Sequence, residues 1–150
     1  MDLLKQNHVR FGLLGTAILT IILLFVHTFA GDTSDLQFSF WQIVLILIVP
    51  LLLWYFGIRA KRKELNHSLS YKQGIKEGYK IALVFALSSP FVFLLYFLLL
   101  NFQALTSAGN DQIHAPSALS ILVDMMAQFW VSLALGTIYG IIATLLLQKK

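Results

Sequence analysis

The stretch RAKRKELNHSLSYKQGIKEGYK, residues 59–80, decides how this chain is organised. It is a long polar segment between two apolar runs, and seven of the chain's 11 Lys and Arg lie within it. The other four, Lys5, Arg10, Lys149 and Lys150, sit at the two ends. Two shorter polar stretches, 31–37 and 103–116, hold no Lys or Arg and carry Asp32, Asp35 and Asp111. Membrane proteins place Lys and Arg in cytoplasmic loops, so this split predicts that both termini and the 59–80 segment are cytoplasmic.

Composition supports a membrane setting. The 150 residues are 58% hydrophobic and 12% charged, with mean hydropathy +0.78. A soluble domain carries about 25% charged residues. A single domain of this length has too little interior to hide so much Leu, Ile, Val and Phe from water. Lipid is therefore an expected partner. The net charge of +4 reads as a topology signal rather than a nucleic-acid footprint, because no basic patch is interleaved with aromatics. The chain has no Cys, which excludes disulfides, thiolate metal sites and Cys nucleophiles.

Four apolar runs follow in order, at about 11–30, 40–58, 81–101 and 129–147. Each has the length of about 20 residues that a hydrocarbon core of about 30 Å requires. The first has a rival reading as a signal peptide, with Thr28, Phe29 and Ala30 ahead of Gly31. Its length exceeds a typical signal-peptide apolar core and favours a retained helix. In the second, Trp41 reads as one rim, Trp54 and Tyr55 as the other, and Pro50 predicts a kink. Ser70 and Gln73 have capping-box spacing, which starts the third helix near Tyr71, inside the polar segment. Asp124 and Gln128 interrupt the last apolar stretch, so residues 117–128 read as an interfacial or tilted lead-in. The fold class expected is all-α: an integral membrane four-helix bundle forming one domain over 1–150.

Because lipid gives no hydrophobic reward for helix association, small residues at four-residue spacing mark where helices approach. Gly74, Gly78, Ala82 and Ala86 form one such stripe, and Ser132, Gly136, Gly140 and Thr144 form another. They are expected to pack against neighbouring helices within the bundle, with dimerisation through one stripe as the alternative. A homo-oligomer or a larger membrane complex is the protein partner this implies.

Residues suited to chemistry are few. His27 and Asp124 both fall toward the non-cytoplasmic side, where they pair to bind protons or simply face water at the headgroups. Lys72, Lys76 and Lys80 share one face and suit anionic lipid, or act only as topology determinants. No nucleophile elbow, phosphate-cradling loop or His-x-x-x-His metal spacing is present. No catalytic residue, metal or cofactor is therefore assigned. The expected function is a non-enzymatic accessory or scaffold subunit acting through helix contacts. The alternative is a small transporter or channel-like protein with a polar path including His27 and Asp124.

Gly57-Ile58-Arg59, Lys61-Arg62-Lys63-Glu64-Leu65, Leu69-Ser70-Tyr71, Gly74 and Lys76-Glu77-Gly78 resemble the bacterial four-span membrane proteins of domain-of-unknown-function family 4199. The resemblance in layout covers nearly the whole chain, and its specific residues lie within 57–78. It implies four spans, a basic turn between the second and third, and a bacterial inner-membrane location. It implies no catalytic residues. The family often has glycine after the Glu-Leu pair, where this chain has Asn66, and often has a longer loop between spans three and four.

Overall fold

The computed structural model describes residues 6–29, 40–66, 68–107 and 118–148. These residues form four helices: α1 (Asn7–Phe29), α2 (Phe40–Glu64), α3 (Tyr71–Ser107) and α4 (Ala118–Gln148). Three of them are long and apolar enough to cross a membrane, over 7–25 in α1, 71–95 in α3 and 119–148 in α4. Residues 118–128, the expected lead-in, are continuous with the rest of α4, and α2 runs helically through Pro50.

The helices alternate in direction. The start of α1, the end of α2, the start of α3 and the end of α4 meet at one end, where Asn7 bonds the Gly57 carbonyl and Arg62 bonds the Leu147 carbonyl. Helices α1 and α4 each pack against both α2 and α3, and among the described residues α1 and α4 do not meet. The cross-section is thus a rhombus whose short diagonal joins α2 and α3. The most extensive of these contacts is between α3 and α4.

The turn from α2 into α3 is built from local chemistry. Asn66 has φ 50°, the left-handed conformation that commonly ends a helix and that Gly or Asn adopts at least cost. Its N–H donates to the Lys63 carbonyl, satisfying one of the orphan acceptors at the end of α2. Helix α3 then opens with a reciprocal cap: the Gln73 N–H donates to Ser70 Oγ at 3.3 Å, and the Ser70 N–H donates to Gln73 Oε1 at 3.0 Å. This start lies ten residues before the apolar run at 81, as the Ser-x-x-Gln spacing predicts.

The interior is inverted relative to a water-soluble bundle. Of the fully buried positions, Ala82, Ala86, Ser89, Ala143 and Thr144 are small, and the large ones are Trp54, Ile58 and Ile81. Leu, Ile and Phe cover the outside, with Ile21 and Phe91 each 64% exposed and Leu119 73% exposed. A soluble protein does not leave such a contiguous apolar surface.

Replacing Asn66 separates backbone geometry from contacts. Asn66→Gly should leave thermal stability in detergent unchanged or slightly raised. Asn66→Val should lower it by about 1–2 kcal/mol, the cost of a β-branched residue held in the left-handed region. Circular-dichroism melting of both variants checks this.

Candidate functional site

The two small-residue stripes face each other along the α3–α4 crossing. A Cβ added at Gly74 would meet Thr144 Cγ2 at 2.6 Å, one at Gly78 would meet Gly140 Cα at 2.7 Å, and one at Gly136 would meet Ala82 Cβ at 2.7 Å. Each pairing steps four residues forward on α3 and four back on α4, which is the register of an antiparallel zipper. Ala86 continues the α3 stripe and is fully buried, and Ser132 continues the α4 stripe. Beyond them Ser89 donates to Ser132 Oγ at 2.9 Å, and Gln128 Nε2 donates to the same oxygen at 3.1 Å. Thr144 donates to the Gly140 carbonyl within its own helix, so its hydroxyl is satisfied while its methyl fills the space over Gly74.

Trp54 of α2 closes this seam. It is fully buried, and its indole N–H donates to the Gly78 carbonyl at 3.2 Å. Gly136 makes room for it: a Cβ there would stand 2.9 Å from Trp54 Cζ2. Phe85 packs edge-on to the indole at 5.4 Å, with Tyr139 at 6.0 Å. This corrects the reading of Trp54 as a rim aromatic. A tryptophan can lie in the core where its N–H finds a partner, and the bare helix face at Gly78 exposes one.

A second polar knot closes the basic end. Glu77 is 4% exposed and is the one buried ionisable side chain among the described residues. Asn7 Nδ2 donates to Glu77 Oε1 at 3.0 Å and to the Gly57 carbonyl at 2.9 Å, so one side chain of α1 ties down α2 and α3 together. His8 Nδ1 lies 3.7 Å from the same carboxylate oxygen. Nearby, a hydrogen bond from Lys61 to Glu64 holds the Lys61 amine above its ordinary pKa. Midway along the bundle the Thr16 and Ser88 hydroxyls bond each other, joining α1 to α3.

The other candidates fall elsewhere. Lys72, Lys76 and Lys80 are exposed on α3. Asp124 is exposed on α4, and the His27 side chain, and with it the expected His27–Asp124 pair, lies outside the described residues. Among the described residues no group of three or more His, Cys, Asp or Glu could hold a metal ion. A cavity of about 20 Å³ lies between α1, α2 and α3, lined by Gly15, Ile18, Pro50, Leu53, Trp54 and Phe85 among others. A space of that size holds about one water, and an apolar lining keeps it dry. Glu77 escaped the sequence reading because Lys76 precedes it and it looks like part of a solvated charge run. Its steps of three from Gly74 and four to Ile81 are the signal that places it inward.

Comparison with known proteins returns nothing to add: no family model, no curated protein and no solved structure matches the chain.

Two outcomes follow from this geometry. Gly78→Ala sets a methyl against the Gly140 backbone, which cannot rotate away, and should cost about 1–3 kcal/mol. Gly15→Ala meets only side-chain atoms of Leu53 and Phe85 at 3.2 Å and should cost less. Thermal unfolding of both in one detergent gives the ordering. Asn7→Ala removes the donor from a buried carboxylate and should cost about 1–3 kcal/mol. In a double-mutant cycle with Glu77→Gln the two effects should not add, because the side chains share one bond.

Proposed function

We propose that this protein is a four-span integral membrane protein of the bacterial inner membrane and acts as a non-enzymatic accessory or scaffold subunit. Its termini and the 59–80 segment face the cytoplasm, and α2 supplies the fourth crossing over about 40–58. The observation that carries this reading is the inverted packing: small and hydrogen-bonded groups inside, large aliphatic and aromatic groups outside. Such a body is stable only where its outer surface meets lipid or other apolar helices. The described basic residues lie at one end of the bundle, as the positive-inside bias requires. The resemblance of residues 57–78 to the four-span family supports the same layout.

Scaffold action follows from how the faces are used. The Gly74–Ala86 and Ser132–Thr144 stripes are occupied by each other within one chain. A second copy or a larger membrane complex would then meet the outward faces, where Leu119, Trp130 and Phe91 stand more than 60% exposed. The narrow apolar cavity offers no passage for a solute. A small transporter or channel-like protein, with a path including His27 and Asp124, is the second reading. The buried Glu77 favours it, because an ionisable group inside a membrane bundle is costly and usually marks a pathway.

The absence of cysteine makes topology directly readable. Single substitutions Thr33→Cys and Ala108→Cys should react with a membrane-impermeant maleimide in intact cells. Lys63→Cys should react only after the cells are opened. Thr33→Cys or Ala108→Cys reachable only from the cytoplasm would overturn the four-span arrangement. Proton flux through proteoliposomes of the purified chain, abolished by Glu77→Gln, would replace the scaffold reading with the transporter reading.

A further inference from the structure

The cations at the basic end are used in two ways. Lys61 is paired with Glu64 at 2.7 Å, and Arg62 donates to the Leu147 carbonyl at 3.0 Å. Arg10, Lys76 and Lys80 are exposed and form no ion pair with a described acid, since Glu64 is taken by Lys61 and Glu77 is turned inward. Their heights can be read from the contacts between α1 and α3. Asn7 meets Glu77, Gly12 lies against Val84, and Thr16 meets Ser88. The two helices therefore run parallel with a nearly constant offset, and Arg10 stands at the depth of Lys80 on the neighbouring helix. The positive end of the α3 dipole lies at the same end of the bundle.

What lies deeper is apolar and equally exposed. On α3, Tyr79, 45% exposed, stands between Lys76 and Lys80, and beyond Lys80 come Leu83, Leu87 and Phe91. On α1, Arg10 is followed by Leu13 and Leu14. A band of cations with a phenol among them, followed by exposed hydrocarbon, matches the order of groups along a phospholipid, from phosphate and ester region to acyl chains. A soluble anion would match the cations and leave the leucines and Phe91 uncovered.

We infer that the outer face of α1 and α3 at the basic end binds an anionic phospholipid, its phosphate at Arg10, Lys76 and Lys80 and its acyl chains along Leu14, Leu83 and Leu87. The inference rests on the membrane reading above and adds the chemistry of the lipid. Lys72, one turn further out, contributes attraction at longer range.

The test is a titration of the purified full-length chain in neutral detergent with phosphatidylglycerol and, separately, phosphatidylcholine, bound lipid being counted by native mass spectrometry. Phosphatidylglycerol should bind more tightly than phosphatidylcholine. The double variant Lys76→Gln and Lys80→Gln should weaken phosphatidylglycerol about thirty-fold, with phosphatidylcholine unchanged. Arg59→Gln with Lys63→Gln removes the same charge from α2 and should weaken it far less. Lys76→Arg with Lys80→Arg should restore binding. Soluble glycerol phosphate in excess should not displace the lipid, and displacement would show a bare phosphate site instead. Equal losses in the α3 and α2 double variants, or equal binding of the two lipids, would overturn the inference and leave the membrane reading standing. A chain that stays soluble without detergent and binds neither lipid would overturn both.

Discussion

The bundle depends on the approach of Gly78 to Gly140. In lipid, helix association gains nothing from burying apolar area, so the driving terms are close packing and hydrogen bonds between helices. Both increase when backbones come together, and backbones come together only where side chains are absent. At Gly78 a single added carbon would already stand 2.7 Å from the facing Cα. The rest of α3 and α4 follows from that contact, because once one pair is seated the four-residue spacing seats Gly74 on Thr144 and Gly136 on Ala82. The bare backbone at Gly78 also presents a carbonyl that Trp54 reaches. One missing side chain therefore positions α4 by packing and α2 by a hydrogen bond.

That coupling explains which parts of the structure were legible in the sequence. The stripes were legible as close-approach faces because four-residue spacing of small residues lets another backbone come near, although the spacing alone left open whether that backbone belongs to the same chain. The start of α3 was legible because Ser70 and Gln73 carry a local signal that needs no tertiary partner. Trp54 was not, since a tryptophan near the end of an apolar run has the same local signature at a headgroup rim and in a core. What distinguishes the two is Gly136, far along the chain, whose missing side chain opens the space. Glu77 was hidden for a similar reason. Its neighbours in sequence are a lysine and a glycine, whereas its partners in space, Asn7 and His8, lie on α1. Helix order around the rhombus was also out of reach, because charge and hydropathy mark candidate crossings and not which of them touch.

The middle of the bundle and its basic end solve different problems. Where Ser89, Ser132 and Gln128 meet, the polar groups are neutral and each finds a hydroxyl partner. At the basic end a carboxylate is buried, and a buried charge is tolerated only when hydrogen-bonded and close to compensating charge. Asn7 provides the hydrogen bond, His8 lies within ion-pair reach, and the cationic surroundings of α2 and α3 supply the field. The same positive charge that gathers at this end thus lowers the cost of a buried acid, and that acid holds the start of α1 against the other helices. Charge and packing are joined at this end because residues 59–80 contain both the lysines and the first two turns of α3.

Among the described residues, the firmest ties lie in the half of the bundle nearest the basic end. From the basic end to the level of Trp54, the helices are tied by glycine contacts, the Asn7–Glu77 bond and the indole hydrogen bond. Beyond it the ties among the described residues are hydroxyl pairs, and both α2 and α3 carry a proline, Pro50 and Pro90, that removes a backbone donor from the helix. Hydroxyl pairs between membrane helices are worth only about 0.6 kcal/mol on average, so beyond Trp54 they hold the described helices less firmly than close glycine packing does nearer the basic end. Large residues face outward beyond Trp54, including Phe91, Leu95 and Leu98 on α3 and Leu119, Leu122 and Met126 on α4. With the described interior small and hydrogen-bonded, the large apolar groups find their contacts on the outside.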